Sequence, residues 1–207
     1  MINTSIVYRL SYYDQASQEF NDLFQEVKQN SVCDPTLISV ELVVKCIPEL
    51  KLGKAAGPDE LCAEHLLYSH PLITVHICAL FRNIAIHGYV PNGFGSGIII
   101  PLLKDKLGDV NDVSNYRGIT LIPVISKLLE LVILEICKPC LITDDLQFGF
   151  EQGLRCVNAI FVLSETVKYF TDKSSSVFTA ALDFKNCFDK INHYKLFSAL
   201  VKAGFPP

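Results

Sequence analysis

The sequence predicts a mixed α+β fold, mostly helical, with one long β-hairpin and a further apolar strand near its end. Three observations predict it. Apolar residues recur at helical spacing in several segments between residues 37 and 203. Two runs rich in β-branched residues and leucine, Gly97–Lys104 and Tyr116–Ile122, flank a polar loop. A third run, Val177–Phe184, is apolar almost throughout and carries Asp183 at its end.

Composition bounds the rest. Half of the 207 residues are hydrophobic, only 19% are charged, and mean hydropathy is +0.31. That balance excludes intrinsic disorder and points to apolar surface that expects a partner, since a soluble domain carries about 25% charge. The length fits one domain or two small ones, at roughly 100–200 residues each. Leu121–Cys140 is the most apolar stretch, but Lys127, Glu130, Glu135 and Lys138 break it, so no membrane span is expected. The start lacks the basic head and apolar run of a signal peptide. The 8 cysteines lie scattered through apolar segments, which reads as reduced, buried thiols and an intracellular protein. Residues 1–44 carry Arg9 and Lys28 against Asp14, Glu19, Asp22, Glu26, Asp34 and Glu41. The net charge of −4 therefore sits there, and the remainder is balanced. A neutral body with local basic patches can still follow phosphates, weakly on electrostatics alone.

Each element has a local cause. Residues 1–44 read as a polar helix and a loop around Asp34-Pro35, and 37–50 as a second helix. KLGKAAGPDE breaks the pattern; Pro58 suits a first helical position, with Asp59 and Glu60 favourable in the first turn, and that helix should end near Ser69-His70-Pro71. Another helix runs from Ile73 to His87, stopped by Gly88. Pro101 marks its strand as an edge or bulge, and the Gly, Asn and Asp of 105–115 make a long hairpin with a flexible tip. Pro123 opens a helix to Cys137, apolar on most of its surface and expected to be buried. An amphipathic helix covers 154–171, and a last helix covers 193–203, closed by Gly204.

The chemistry centres on ALDFKNCFD. A carboxylate at the end of a buried strand is expensive unless a cation meets it, so Asp183 is a candidate ligand for a divalent metal; the alternative is a turn or helix cap. KLGKAAGPDE, GIIIPLLKDK, NYRGITLIPVISKLLE, QFGFEQG, ALDFKNCFD and INHYKLFSALVKAGFP follow one another from Lys51 to Pro206, within a similarity that covers about Lys45–Pro207. Together they resemble the reverse transcriptase of non-LTR, LINE-type retrotransposons. The resemblance implies a right-hand polymerase, with a fingers-like region (45–175) and the start of the palm (176–207); residues 1–44 precede it as an N-terminal helical extension. It implies an RNA template, a DNA primer and deoxynucleoside triphosphates as partners, and Mg2+ as the metal, because magnesium prefers oxygen ligands and binds through a few carboxylates plus substrate phosphates.

By motif match, the resemblance makes Asp183 the first catalytic carboxylate and the Phe184 carbonyl a second metal ligand. Asn186 and Cys187 meet the triphosphate through backbone N–H groups, and Phe188 lies under the sugar and excludes a 2′-hydroxyl. Lys104 and Arg117, on the two arms of the hairpin, reach the triphosphate, the arginine as a planar fork and the lysine as a point charge. Lys51 and Lys54 follow template backbone, and Gly149 and Phe150 support the template strand. Solvated surface charge is the alternative for the lysines. The chain departs from the family pattern at Glu60, where a glycine is usual, at Asn186-Cys187, and at Glu151, where a base is common.

Cys137-Lys-Pro-Cys140 is a single pair where structural zinc wants four ligands. A cysteine-based metal or redox module is therefore a distant option. The family core also uses an aromatic-x-Asp-Asp hairpin, which this sequence does not contain; Asp144-Asp145 lies upstream of the palm segment. The expectation is a polymerase fragment that is inactive alone, lacking the remaining polymerase segments. The alternative is a non-catalytic RNA-binding or assembly remnant.

Overall fold

A computed structural model describes residues 4–30, 34–151, 153–184 and 190–205, with the side chains of the first helix described over 12–29. The chain packs as two compact units: Met1–Phe24 with Cys140–Gly204, and Gln25–Pro139 with Phe205–Pro207.

The second of these is organised around α2 (Val40–Cys46), α3 (Ala63–Leu67), α4 (Leu72–His87), α5 (Asn92–Gly95) and α6 (Val124–Cys137). Ser39 starts α2 by accepting the Leu42 N–H at 3.1 Å. Gly88, at φ +58°, ends α4 in the left-handed conformation that glycine adopts without strain. The apolar spacing of these helices becomes one core in which Val43, Phe81, Leu128 and Val132 lose all contact with water. Burying each such side chain is worth about 1.5–3 kcal/mol. The Ile38 carbonyl, at the edge of this core, accepts from both Arg82 Nε (2.7 Å) and Cys78 Sγ (3.2 Å). On the surface, an ion pair joins Lys45 of α2 to Glu135 of α6.

Two expectations change here. The helix placed at Pro58 begins instead at Ala63. Its start is delayed because Glu60 takes φ +58° and closes a turn on the Gly57 carbonyl at 3.1 Å, a conformation no right-handed helix can include. Helix α6 is buried along one face only: Ile133 and Leu134 remain about half exposed.

The hairpin is as expected, β1 (Ile98–Leu103) against β2 (Tyr116–Leu121), antiparallel, with Leu102 opposite Arg117 and Ile98 opposite Leu121. Its tip is not loose. Asn115 accepts the Asp105 N–H (3.0 Å) and donates to the carbonyls of Asp105 (3.0 Å) and Asp109 (3.2 Å). Asp105, Asp109 and Asp112 each accept a backbone N–H two residues on. The polar composition that suggests flexibility is thus a series of side-chain-closed turns.

In the other unit, α1 (Thr4–Asn30, shared across the boundary), α7 (Cys156–Thr171) and α8 (His193–Lys202) are the regular elements. Rings join α1 to α8: Tyr13 meets Tyr194 edge-on at 5.2 Å, and Phe20 lies 5.9 Å from Tyr194 and 5.8 Å from Phe197. Lys195 Nζ sits 4.2 Å over the Tyr12 ring. Ala16 is buried. The apolar face of α7 is open, with Val157, Ile160 and Phe161 exposed. The strand expected over Val177–Phe184 does not form. A strand needs a neighbour to receive its N–H and C=O groups, and the hairpin is the one ladder among the described residues.

Candidate functional site

The hairpin places Lys104 and Arg117 on one face. Side chains alternate along a strand, so Arg117 shares a face with Leu102, Ile100 and Ile98 through the observed register, and Lys104 continues that face just past the strand end. Arg117 is exposed, with no carboxylate in ion-pair range among the described residues. Lys104 is committed differently: its Nζ donates to the Ser114 carbonyl at 2.7 Å, and its backbone N–H to Asn115 O at 2.7 Å, so it closes the loop. Lys104 thus spends one of its three N–H donors on Ser114 and keeps its charge, while the Arg117 guanidinium has no carboxylate partner among the described residues.

Lys51 and Lys54 lie on the segment between α2 and α3. Two devices fix that segment. Glu64 of α3 accepts the Gly53 N–H at 2.6 Å, and this hydrogen bond holds the Glu64 carboxyl below its ordinary range. Gly57 is buried against the exit of the hairpin. A Cβ there would lie 2.7 Å from the carbonyl carbon and oxygen of Ile122 and 2.8 Å from Pro123 N. The segment and α6 together line a cleft of about 440 Å³ that includes Lys51, Lys54 and Lys127.

Gln147–Phe150 forms an irregular loop in which Gln147 Nε2 donates to Gly149 O at 3.2 Å and Leu146 N–H to the Asp144 carboxylate at 2.8 Å. Phe150 is 95% exposed at φ +64°, a costly conformation for a bulky residue. Glu151, at the position where the family pattern favours a base, accepts from the Thr143 hydroxyl.

Asp183 is exposed, and Phe184 is 78% exposed. Asn186, Cys187 and Phe188 lie outside the described residues. The Asp183 carboxylate and the Phe184 carbonyl are oxygen donors of the kind magnesium takes. Among the described residues, however, no three His, Cys, Asp or Glu side chains converge as a metal site. Two donors fit the chemistry of the ion but not its coordination number. No disulfide joins two described cysteines. Cys137 is buried, and Cys140 Sγ donates to Gly204 O at 3.3 Å. No helix among the described residues is long and apolar enough to cross a membrane.

The sequence reading did not single out Lys127, Glu64 or Asn115. Glu64 and Asn115 act through backbone groups distant in sequence, which no local pattern announces. Lys127 appeared only as a charge interrupting an apolar helix.

Residues 104–207 match the model of the reverse transcriptase (RNA-dependent DNA polymerase) family. The chain belongs to that family, in its non-LTR retrotransposon branch. It is 30% identical over 173 residues to a 115 kDa protein in the type-1 retrotransposable element R1DM of Drosophila melanogaster, covering 82% of this chain and 17% of that protein. It is 29% identical over 181 residues to the RNA-directed DNA polymerase from mobile element jockey of the same species, covering 82% and 19%. The jockey polymerase of Drosophila funebris is 29% identical over 170 residues, covering 75% and 17%. The chain thus spans less than a fifth of the length of these curated relatives.

Proposed function

We propose that this chain is the fingers and first palm segment of an RNA-directed DNA polymerase, binding template and incoming nucleotide for transfer by two-metal chemistry. The observation that carries the reading is the exposed Arg117, without a carboxylate partner among the described residues, on the hairpin face that Lys104 extends. A guanidinium fork suits triphosphate oxygens, and the Lys104 commitment to Ser114 fixes the loop that presents it. Lys51 and Lys54 contact template phosphates, and Gly149 and Phe150 support the template strand. Asp183 and the Phe184 carbonyl offer oxygen ligands to a divalent ion that activates the primer hydroxyl. Asn186, Cys187 and Phe188 contact the triphosphate and sugar. A further pair of carboxylates is needed to complete the metal site, so the 207-residue chain binds without turnover.

Titration of a deoxynucleoside triphosphate onto the chain, with Mg2+ and an RNA template annealed to a DNA primer, tests this. A charge-assisted contact contributes about 1.5–3 kcal/mol, so Arg117→Ala should raise Kd by roughly tenfold or more. Unchanged affinity would remove the basis of the reading. Robust primer extension by the same chain would overturn the absence of turnover. A second reading, RNA binding without catalysis, is favoured by the placement of Lys51 and Lys54 in a unit with its own core; salt-sensitive RNA binding unchanged by Asp183→Asn would support it.

A further inference from the structure

The cleft beside α6 has features that a template-backbone track alone does not need. Its floor is aliphatic, made by Leu50, Leu61, Val124 and Leu131, while Lys51, Lys54 and Lys127 stand around it. Glu49 and Glu130 also line it. Charge pairing on this surface is uneven. Glu135 engages both Lys45 and Lys138, whereas none of the three cleft lysines has a carboxylate oxygen within 4.0 Å among the described residues. Lys127 is moreover half-buried. A lysine lays its aliphatic stem along apolar surface and keeps its ammonium in water, so the Lys127 charge, with no carboxylate beside it among the described residues, is open to an anion arriving in the cleft.

We infer that this cleft seats one unpaired nucleotide of single-stranded RNA, its base on the aliphatic floor and its phosphate on Lys127. The inference rests on the proposed template role of Lys51 and Lys54 and extends it to Lys127. The volume, about 440 Å³, lies in the range of roughly 300–1,000 Å³ typical of small-ligand clefts and gives no room for a duplex. A duplex also keeps its bases stacked inside, so only an unpaired base can reach an apolar floor.

The test is binding of a fluorescent single-stranded oligoribonucleotide to the full chain across a salt series. Each phosphate contact on a single strand contributes about 0.7 to the slope of log K against log salt. Lys127→Gln should therefore flatten the slope by about 0.7, the share of one contact. Leu134→Ser changes a cleft residue that is 51% exposed, so the fold survives it; it should weaken binding at every salt concentration while leaving the slope unchanged. Duplex RNA of the same sequence should compete poorly. If Lys127→Gln and Leu134→Ser bind as the parent does while Lys51→Gln and Lys54→Gln lose affinity, the template reading stands and the nucleotide seat is refuted. If none of the four variants matters, both fall. Equal competition by duplex would also refute the seat.

Discussion

Replacing Gly57 with alanine puts a methyl carbon 2.7 Å from the Ile122 carbonyl carbon and oxygen and 2.8 Å from Pro123 N. These are backbone atoms at the junction of β2 and α6, so no side chain can swing aside. Ordinary contact begins near 3.4 Å, so either the loop or the junction must shift by about 0.7 Å. Forced overpacking of this kind costs typically 1–3 kcal/mol. At about 2–4 °C per kcal/mol for a chain of this size, Tm falls by roughly 2–12 °C. Gly93→Ala is the internal comparison, because the same added carbon there meets nothing within 4 Å; its melt should stay within about 0.5 kcal/mol of the parent or rise slightly. The assay is thermal unfolding followed by circular dichroism. Gly57→Ala melting together with Gly93→Ala would refute the claim that the Lys51–Lys54 segment is pressed onto the hairpin exit.

Glu60→Gly should stabilise the chain. Glycine removes the left-handed strain at φ +58°, about 1–2 kcal/mol, and gives back about 0.4–1 kcal/mol in unfolded-chain entropy; a lower Tm than the parent would contradict this. The pH dependence of Glu64→Gln follows from the direction of its shift. The Gly53 N–H lowers the folded pKa of Glu64 below the ordinary carboxylate value, so its contribution is present above that value and is lost as pH falls through the lowered one. The Tm difference between parent and Glu64→Gln should hold above about pH 5 and shrink below about pH 4; a difference independent of pH would contradict it. Phe20→Ala removes two ring contacts to α8, each worth about 0.5–1.5 kcal/mol. Amide hydrogen exchange across His193–Lys202 should accelerate while α4 and α6 stay protected; unchanged exchange in α8 would show that the rings do not hold it.

The elements legible in the sequence are those whose causes are local. Gly88 ends α4, Pro123 precedes α6, and the β-branched runs form β1 and β2, all as their residues dictate. The errors have causes that residue type alone does not announce. Pro58 and two acids imitate a helix start, but Glu60 turns left-handed and delays the helix to Ala63. Val177–Phe184 has strand composition and no neighbour to pair with among the described residues. The candidate site shows the same division. Arg117 and the lysines could be named from the motifs, whereas the Lys104 hydrogen bond to Ser114, the Glu64 anchor and the half-buried Lys127 required coordinates. The acidic residues 1–44 read as an appendage, yet α1 lays Tyr13, Ala16 and Phe20 along its unit and meets α8 through rings, a contact between residues about 180 positions apart that no window of sequence can display.

Photolabelling tests the polymerase reading most directly. A photoreactive deoxynucleoside triphosphate would be bound to the full chain with Mg2+ and template–primer, crosslinked, and its attachment mapped by mass spectrometry. The account expects label on the peptides spanning Ile98–Leu121, competed by unlabelled triphosphate and lost in Arg117→Ala. Label confined to other segments, or on the hairpin but indifferent to Arg117, would contradict it.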